Sequence, residues 1–208
     1  MLFGFFAWQI VLWLGHLHLS NVAKALPPQF IAYLLWFLCV AALLRVKYDA
    51  PFWASLNWVL PATSALPALL NGLLLAIIIA MTSVLLRTPA IDSPMQEIMN
   101  DKSARWVVAL AAVTIGPVSE ELIFRGFLMP LLVRSAGVAG GIFLAALPFA
   151  LLHGPQYSWS WRHVLLILLA GCAFGWVRYK TGSTAIAAIT HAAYNLTFLS
   201  VYLINEGH

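Results

Sequence analysis

Glu120 and Glu121, with Arg125 four residues on, stand in chain that otherwise reads as hydrocarbon. Further along, Phe149 precedes His153 by four residues and His191 precedes Asn195 by four, again within apolar runs. Ionisable groups are costly in a bilayer, so inside one they face a protein interior or a cavity and by default mark a functional site. Gly116-Pro117 interrupts the apolar run ahead of the glutamates and predicts a new helix starting there. Glu120 and Glu121 would then lie in or near the first turn, where the helix dipole favours negative charge. Glu121 and Arg125 are spaced to pair along one face, while Glu120 points about 100° away and is the freer carboxylate.

His153 is placed at a helix end, just before the Gly154-Pro155 break and one turn after Phe149. A glutamate and a histidine brought together can hold and deprotonate a water. His191 and Asn195 project from one face of the last helix, and two donors aimed at one point can form an oxyanion hole, each worth about 10²–10³ in rate. Singly, each group has a plain structural use: an internal salt bridge, or a capping histidine. Together they spell peptide-bond hydrolysis.

The pattern Glu-Glu-x-x-x-Arg, Phe-x-x-x-His, His-x-x-x-Asn, in this order on separate apolar segments from Gly116 to Asn195, resembles the CAAX protease and bacteriocin-processing family of intramembrane endopeptidases. The resemblance implies that Glu120 and His153 activate the hydrolytic water, that His191 and Asn195 stabilise the oxyanion, and that Glu121 and Arg125 organise the site. Nothing within the motifs departs from the family pattern. The family also has a metalloprotease reading, in which Glu120, His153 and His191 would supply the three ligands usual at a catalytic zinc. The chain has no His-Glu-x-x-His, and using His191 as a ligand removes it from the oxyanion hole. The expectation is a glutamate-type mechanism with no cofactor and no metal, with zinc as the minority alternative.

The elements that must position these groups are membrane spans. Of 208 residues, 62% are hydrophobic and 9% charged, with a mean hydropathy of +0.91, against roughly 25% charged residues in soluble domains. Candidate spans are Leu2–Leu19, Phe30–Leu44, Leu66–Leu86, Trp106–Ile115, Leu122–Val133, Gly140–Leu152, His163–Val177 and Ala185–Leu203, each judged against the roughly 20 residues a crossing needs. The fold class is therefore all-α, a polytopic membrane bundle of seven to eight helices. Residues 1–208 read as one integral-membrane protease domain with its motif-bearing core at 106–203. Turns are expected at Pro27-Pro28, Asp49-Ala-Pro51, Pro89, Pro94, Gly154-Pro155 and Thr181-Gly182-Ser183. Trp53, Trp58, Trp106, Trp159 and Trp161 mark span ends.

The first run reads as a retained helix, since no Lys or Arg precedes it. His16 and His18 cannot share a helix face and read as structural, as does His163. The stretch from Arg87 to Arg105, with Asp92, Glu97, Asp101 and Lys102, reads as a solvated connector carrying a short amphipathic helix. Cys39 and Cys172 fall in separate spans and form no disulfide framework. A net charge of +4 comes from scattered basic residues with no run or stripe, so nucleic acid is not a partner. Seven crossings leave five Lys or Arg on each side, Arg45, Lys47, Arg134, Arg178 and Lys180 against Lys24, Arg87, Lys102, Arg105 and Arg162, and the orientation stays open.

The expected partners are the lipid bilayer and a peptide substrate that is membrane-anchored, lipidated or carries a hydrophobic segment. The expected location is integral and multi-pass, in a bacterial cell membrane on account of the compact size. Two alternatives use the same residues differently. A non-proteolytic membrane scaffold or immunity protein would suit degenerate motifs, and these are intact. A proton-coupled transporter would use the Glu and His groups as a relay, but the two halves show no internal repeat.

Overall fold

A computed structural model describes residues 21–61, 65–91 and 102–206. The expected first span, with His16 and His18, lies outside the described residues, as do Asp92, Glu97 and Asp101 of the connector. The described residues form helices and no strand. In chain order they are α1 (Asn21–Tyr48), α2 (Phe52–Ser55), α3 (Ala65–Leu85), α4 (Lys102–Val113), α5 (Ile115–Glu121), a π-helical segment (Leu122–Leu128), α6 (Met129–Leu152), a 3₁₀ turn (Gly154–Tyr157), α7 (Trp161–Thr181) and α8 (Thr184–Glu206).

Among the described residues, five helical stretches are long and apolar enough to cross a membrane: Pro28–Tyr48, Ala65–Leu85, Arg105–Leu152, Trp161–Thr181 and Thr184–Asn205. The expected count of seven to eight is not confirmed. Besides the first span, the difference lies in three expected segments, Trp106–Ile115, Leu122–Val133 and Gly140–Leu152, which run together in one stretch of 48 residues. That stretch would be about 72 Å long if straight, far more than a bilayer's hydrocarbon core. It does not run straight. Gly137 has φ 71° and ψ 177° inside α6, a conformation open to glycine because it has no Cβ. Past it the chain folds back, so that Gly141 packs on Val133, whose Cα would lie 2.6 Å from a Cβ at position 141.

The second break corrects an expectation. The new helix does not start at Gly116-Pro117 but after Thr114, which has φ −128° and ψ −85°. Proline removes the bond its N–H would give to the carbonyl four residues back, and its ring clashes there. That carbonyl is Val113's, so α4 ends at Val113 and Pro117 becomes the third residue of α5. Glu120 and Glu121 consequently close a helix of seven residues and sit in its second turn, not its first. Pro27-Pro28, expected as a turn, lie inside α1, as membrane helices tolerate when neighbouring groups take up the freed carbonyls.

Packing follows small side chains, as it does where lipid removes the hydrophobic drive between helices. Ala68, Gly72 and Ala76 recur every fourth residue on the buried side of α3. A Cβ on Gly72 would collide with Thr190 O and lie 2.6 Å from Ala193 Cβ, so α3 and α8 meet backbone to backbone. Phe174 of α7 joins Ile79, Leu166 and Ala170 in a buried cluster. The α7–α8 turn at Gly182 is clasped to the loop after α2: Arg178 Nε donates to Thr184 Oγ1 at 2.9 Å, which donates to Leu56 O at 2.6 Å, and Ser183 Oγ donates to Val59 O. Outward faces are apolar, with Leu70, Leu74, Ile78, Met81, Val201 and Ile204 exposed. Trp53, Trp106, Trp159 and Trp161 are exposed near helix ends, where amphipathic rings suit a membrane interface.

Candidate active site

α5, the π-helical segment, α7 and α8 converge on a polar core. Glu121 and Arg125 are both fully buried, with Arg125 Nη1 donating to Glu121 Oε1 at 2.9 Å. This is the pair expected from the four-residue spacing. Its partner is placed by a π-helical turn, a rare geometry that often marks functional sites. Arg125 Nη2 donates to Gly171 O at 2.7 Å, which uses the far side of the guanidinium to hold α7. Phe149, Phe174 and Phe124 surround the cation, with ring centroids 4.5, 5.4 and 5.9 Å from its central carbon. Their faces supply some of the stabilisation that water would otherwise give.

His191 ties α8 into this core. Its Nδ1 lies 3.0 Å from Glu121 Oε1, and a carboxylate can only accept, so Nδ1 carries the hydrogen. The ring stacks on Phe174, with centroids 4.4 Å apart and planes 19° from parallel, and meets Phe149 edge-on at 5.9 Å. Nε2 is thereby aimed at Glu120, whose Oε2 lies 3.9 Å away. That is too long for a hydrogen bond. Glu120 retains 17% of its side-chain exposure, while Glu121 has none. The other Glu120 oxygen, Oε1, accepts a 2.7 Å hydrogen bond from the hydroxyl of Tyr33 on α1.

His153 follows the last residue of α6, as expected, and its Nδ1 lies 2.8 Å from Phe149 O. A carbonyl only accepts, so this nitrogen also carries its hydrogen and Nε2 is left with a free lone pair. His153 joins the site through the Phe149 ring, 4.7 Å away, rather than by a bond to Glu120. Asn195 lies one turn beyond His191 and donates through Nδ2 to Ala112 O at 2.8 Å. This satisfies a carbonyl freed where α4 breaks, and one amide hydrogen remains.

Glu120, Glu121, Arg125, Phe149 and His191 are thus drawn together, with His153 one ring away and Asn195 turned to the backbone of α4. Tyr33, Gly171 and Phe174 also belong to the site and were not singled out from sequence. A tyrosine inside an apolar run, whose hydroxyl needs a partner when buried, was the available signal for Tyr33. Gly171 and Phe174 carried none. A zinc would draw on Glu120, His153 and His191. Among the described residues, however, no group of three His, Cys, Asp or Glu side chains is arranged to hold a metal ion. Cys39 and Cys172 are free thiols.

Residues 102–197 match the model of a protein family described as Rce1-like, type II CAAX prenyl endopeptidase Rce1-like. The match bears out the resemblance carried by the three motifs, and it contains every one of their residues. No curated protein and no solved structure matches the chain. With five helical stretches of membrane-crossing length among the described residues, the chain is an integral membrane protein, and its residues 102–197 are similar to the type II CAAX prenyl endopeptidases.

Proposed function

We propose that this protein is an intramembrane endopeptidase of the CAAX type, which hydrolyses a peptide bond of a membrane-anchored substrate with Glu120 as general base. The observation that carries this reading is the division of labour between neighbouring carboxylates. Glu121 is taken up by Arg125 and His191, whereas Glu120 keeps Oε2 free beside His191 Nε2. A base must be ionised, reachable and not consumed by a cation, and Glu120 alone of the pair meets these conditions.

A water beside Glu120 Oε2 gives up its proton there, and the second acceptor for it is the free Nε2 of His153. The resulting hydroxide attacks the scissile carbonyl carbon. His191 gives its Nδ1–H to Glu121, and in its imidazolium form it also carries a hydrogen on Nε2. Its Nε2–H then donates to the oxyanion, with the remaining Asn195 amide hydrogen as second donor. Collapse of the tetrahedral intermediate breaks the C–N bond, and the proton held by Glu120 passes to the leaving amine. The substrate reaches this core because it is held in the bilayer by a lipid or an apolar segment, which lets a site walled by Phe149 and Phe174 receive it.

The test is cleavage of one peptide in two forms, with and without a lipid anchor, by purified protein in lipid vesicles, with the products identified by mass. Cleavage at one bond of the anchored form, lost in Glu120→Gln, is the expected result. Equal cleavage of both forms, or full activity of Glu120→Gln, contradicts the proposal.

A further inference from the structure

We infer that Tyr33 is a positioning residue for Glu120, so that α1 completes the active site from outside the motif-bearing half of the chain. This rests on the reading of Glu120 as general base. The phenol donates to Glu120 Oε1 at 2.7 Å across 87 residues of sequence, a full-strength O–H···O distance. Tyr33 also lines a crevice of about 230 Å³ between α1 and the stretch from α5 into the π-helical segment, whose walls include Phe30, Leu34, Ile115 and Leu122, with Ser119 as a polar neighbour. In such apolar surroundings a hydrogen bond to a charge is stronger than in water.

Among the described residues, α1 also makes apolar, non-directional contacts. Val40 packs with Leu56 and Leu122, and Trp36 meets Phe127 edge-on with centroids 6.3 Å apart. These contacts hold the helix but fix no oxygen. Among the described residues no cation hydrogen-bonds Glu120, His191 Nε2 lying 3.9 Å away, and its side chain is long, so without the phenol its carboxylate would sample several rotamers. With Oε1 pinned, Oε2 is the oxygen left facing His191 Nε2 at 3.9 Å. Displacement of a reacting group by about 1 Å can cost about 10² in rate, so a single directional bond at this carboxylate has leverage on turnover.

The experiment measures kcat and KM for an anchored peptide with wild type, Tyr33→Phe, Glu120→Gln, Glu120→Asp and the double variant Tyr33→Phe/Glu120→Asp, with unfolding followed in parallel. Tyr33→Phe keeps the ring and its packing. The expected result is a fall in kcat of about tenfold with KM nearly unchanged. In Glu120→Asp the carboxylate is one methylene shorter and no longer meets the phenol, so Tyr33→Phe should add little on that background. Unchanged kcat in Tyr33→Phe overturns the inference, as does a rise in KM alone, which would make Tyr33 a substrate contact. In both cases an inactive Glu120→Gln leaves the base reading standing. An active Glu120→Gln overturns that reading and this inference with it.

Discussion

Arg125→Met tests whether the core is held by its buried ion pair. The substitution keeps an unbranched apolar side chain and deletes a fully buried cation with two hydrogen bonds, 2.9 Å to Glu121 Oε1 and 2.7 Å to Gly171 O. The larger cost is what stays behind. Glu121 is fully buried, and its second oxygen, Oε2, has no hydrogen-bond partner among the described residues, so the carboxylate would depend on His191. Removing one partner of a buried pair costs about 3–5 kcal/mol, because it leaves an uncompensated charge in a medium that solvates it poorly. Neutralising that charge should return part of the loss: Arg125→Met/Glu121→Gln should be more stable than Arg125→Met by about 1 kcal/mol or more, a coupling typical of side chains in one network. Unfolding with a denaturing detergent in mixed micelles, followed by tryptophan fluorescence, measures both. A loss below about 1 kcal/mol for Arg125→Met, the range of exposed pairs, would refute the reasoning, as would a double variant less stable than the single one.

Gly72→Leu should disrupt the α3–α8 contact, because any Cβ there meets Thr190 O and Ala193 Cβ. The cost expected from overpacking is about 1–3 kcal/mol or more, read by the same unfolding assay, and wild-type stability would contradict the close approach. Asn195→Ala should lower kcat by about 10²-fold through loss of an oxyanion donor. It should also cost about 1 kcal/mol of stability by freeing Ala112 O, and a stability loss with unchanged kcat would confine Asn195 to the structural part. Glu121→Gln should reduce both stability and turnover, whereas Glu120→Gln should leave the unfolding midpoint near that of wild type.

Much of the site was legible because it is local. The pairing of Glu121 with Arg125 follows from a four-residue spacing, which survives even the change to a π-helical turn. The placement of His153 at the end of α6 follows from the Gly154-Pro155 break. What is not local was hidden. The Tyr33–Glu120 bond spans 87 residues, and Asn195 finds Ala112 across 83. No spacing rule reaches so far. The direction of His191 Nε2 depends on Phe174, whose ring reads in sequence as any other core aromatic. At Gly116-Pro117 the sequence marks a break but not its exact place. Proline acts on the carbonyl four residues back, which moves the break to Thr114 and the glutamates into the second turn. The fold-back at Gly137 was equally unreadable, since one glycine among several in that stretch carries the positive φ.

The most direct test of the central claim compares Glu120→Gln with Glu121→Gln in single-turnover cleavage of a membrane-anchored peptide, with enzyme in excess and folding verified for both. If Glu120 is the base, its amide variant loses about 10²–10⁴ in rate while unfolding like wild type, and Glu121→Gln loses stability along with rate. Full single-turnover cleavage by well-folded Glu120→Gln would contradict the account.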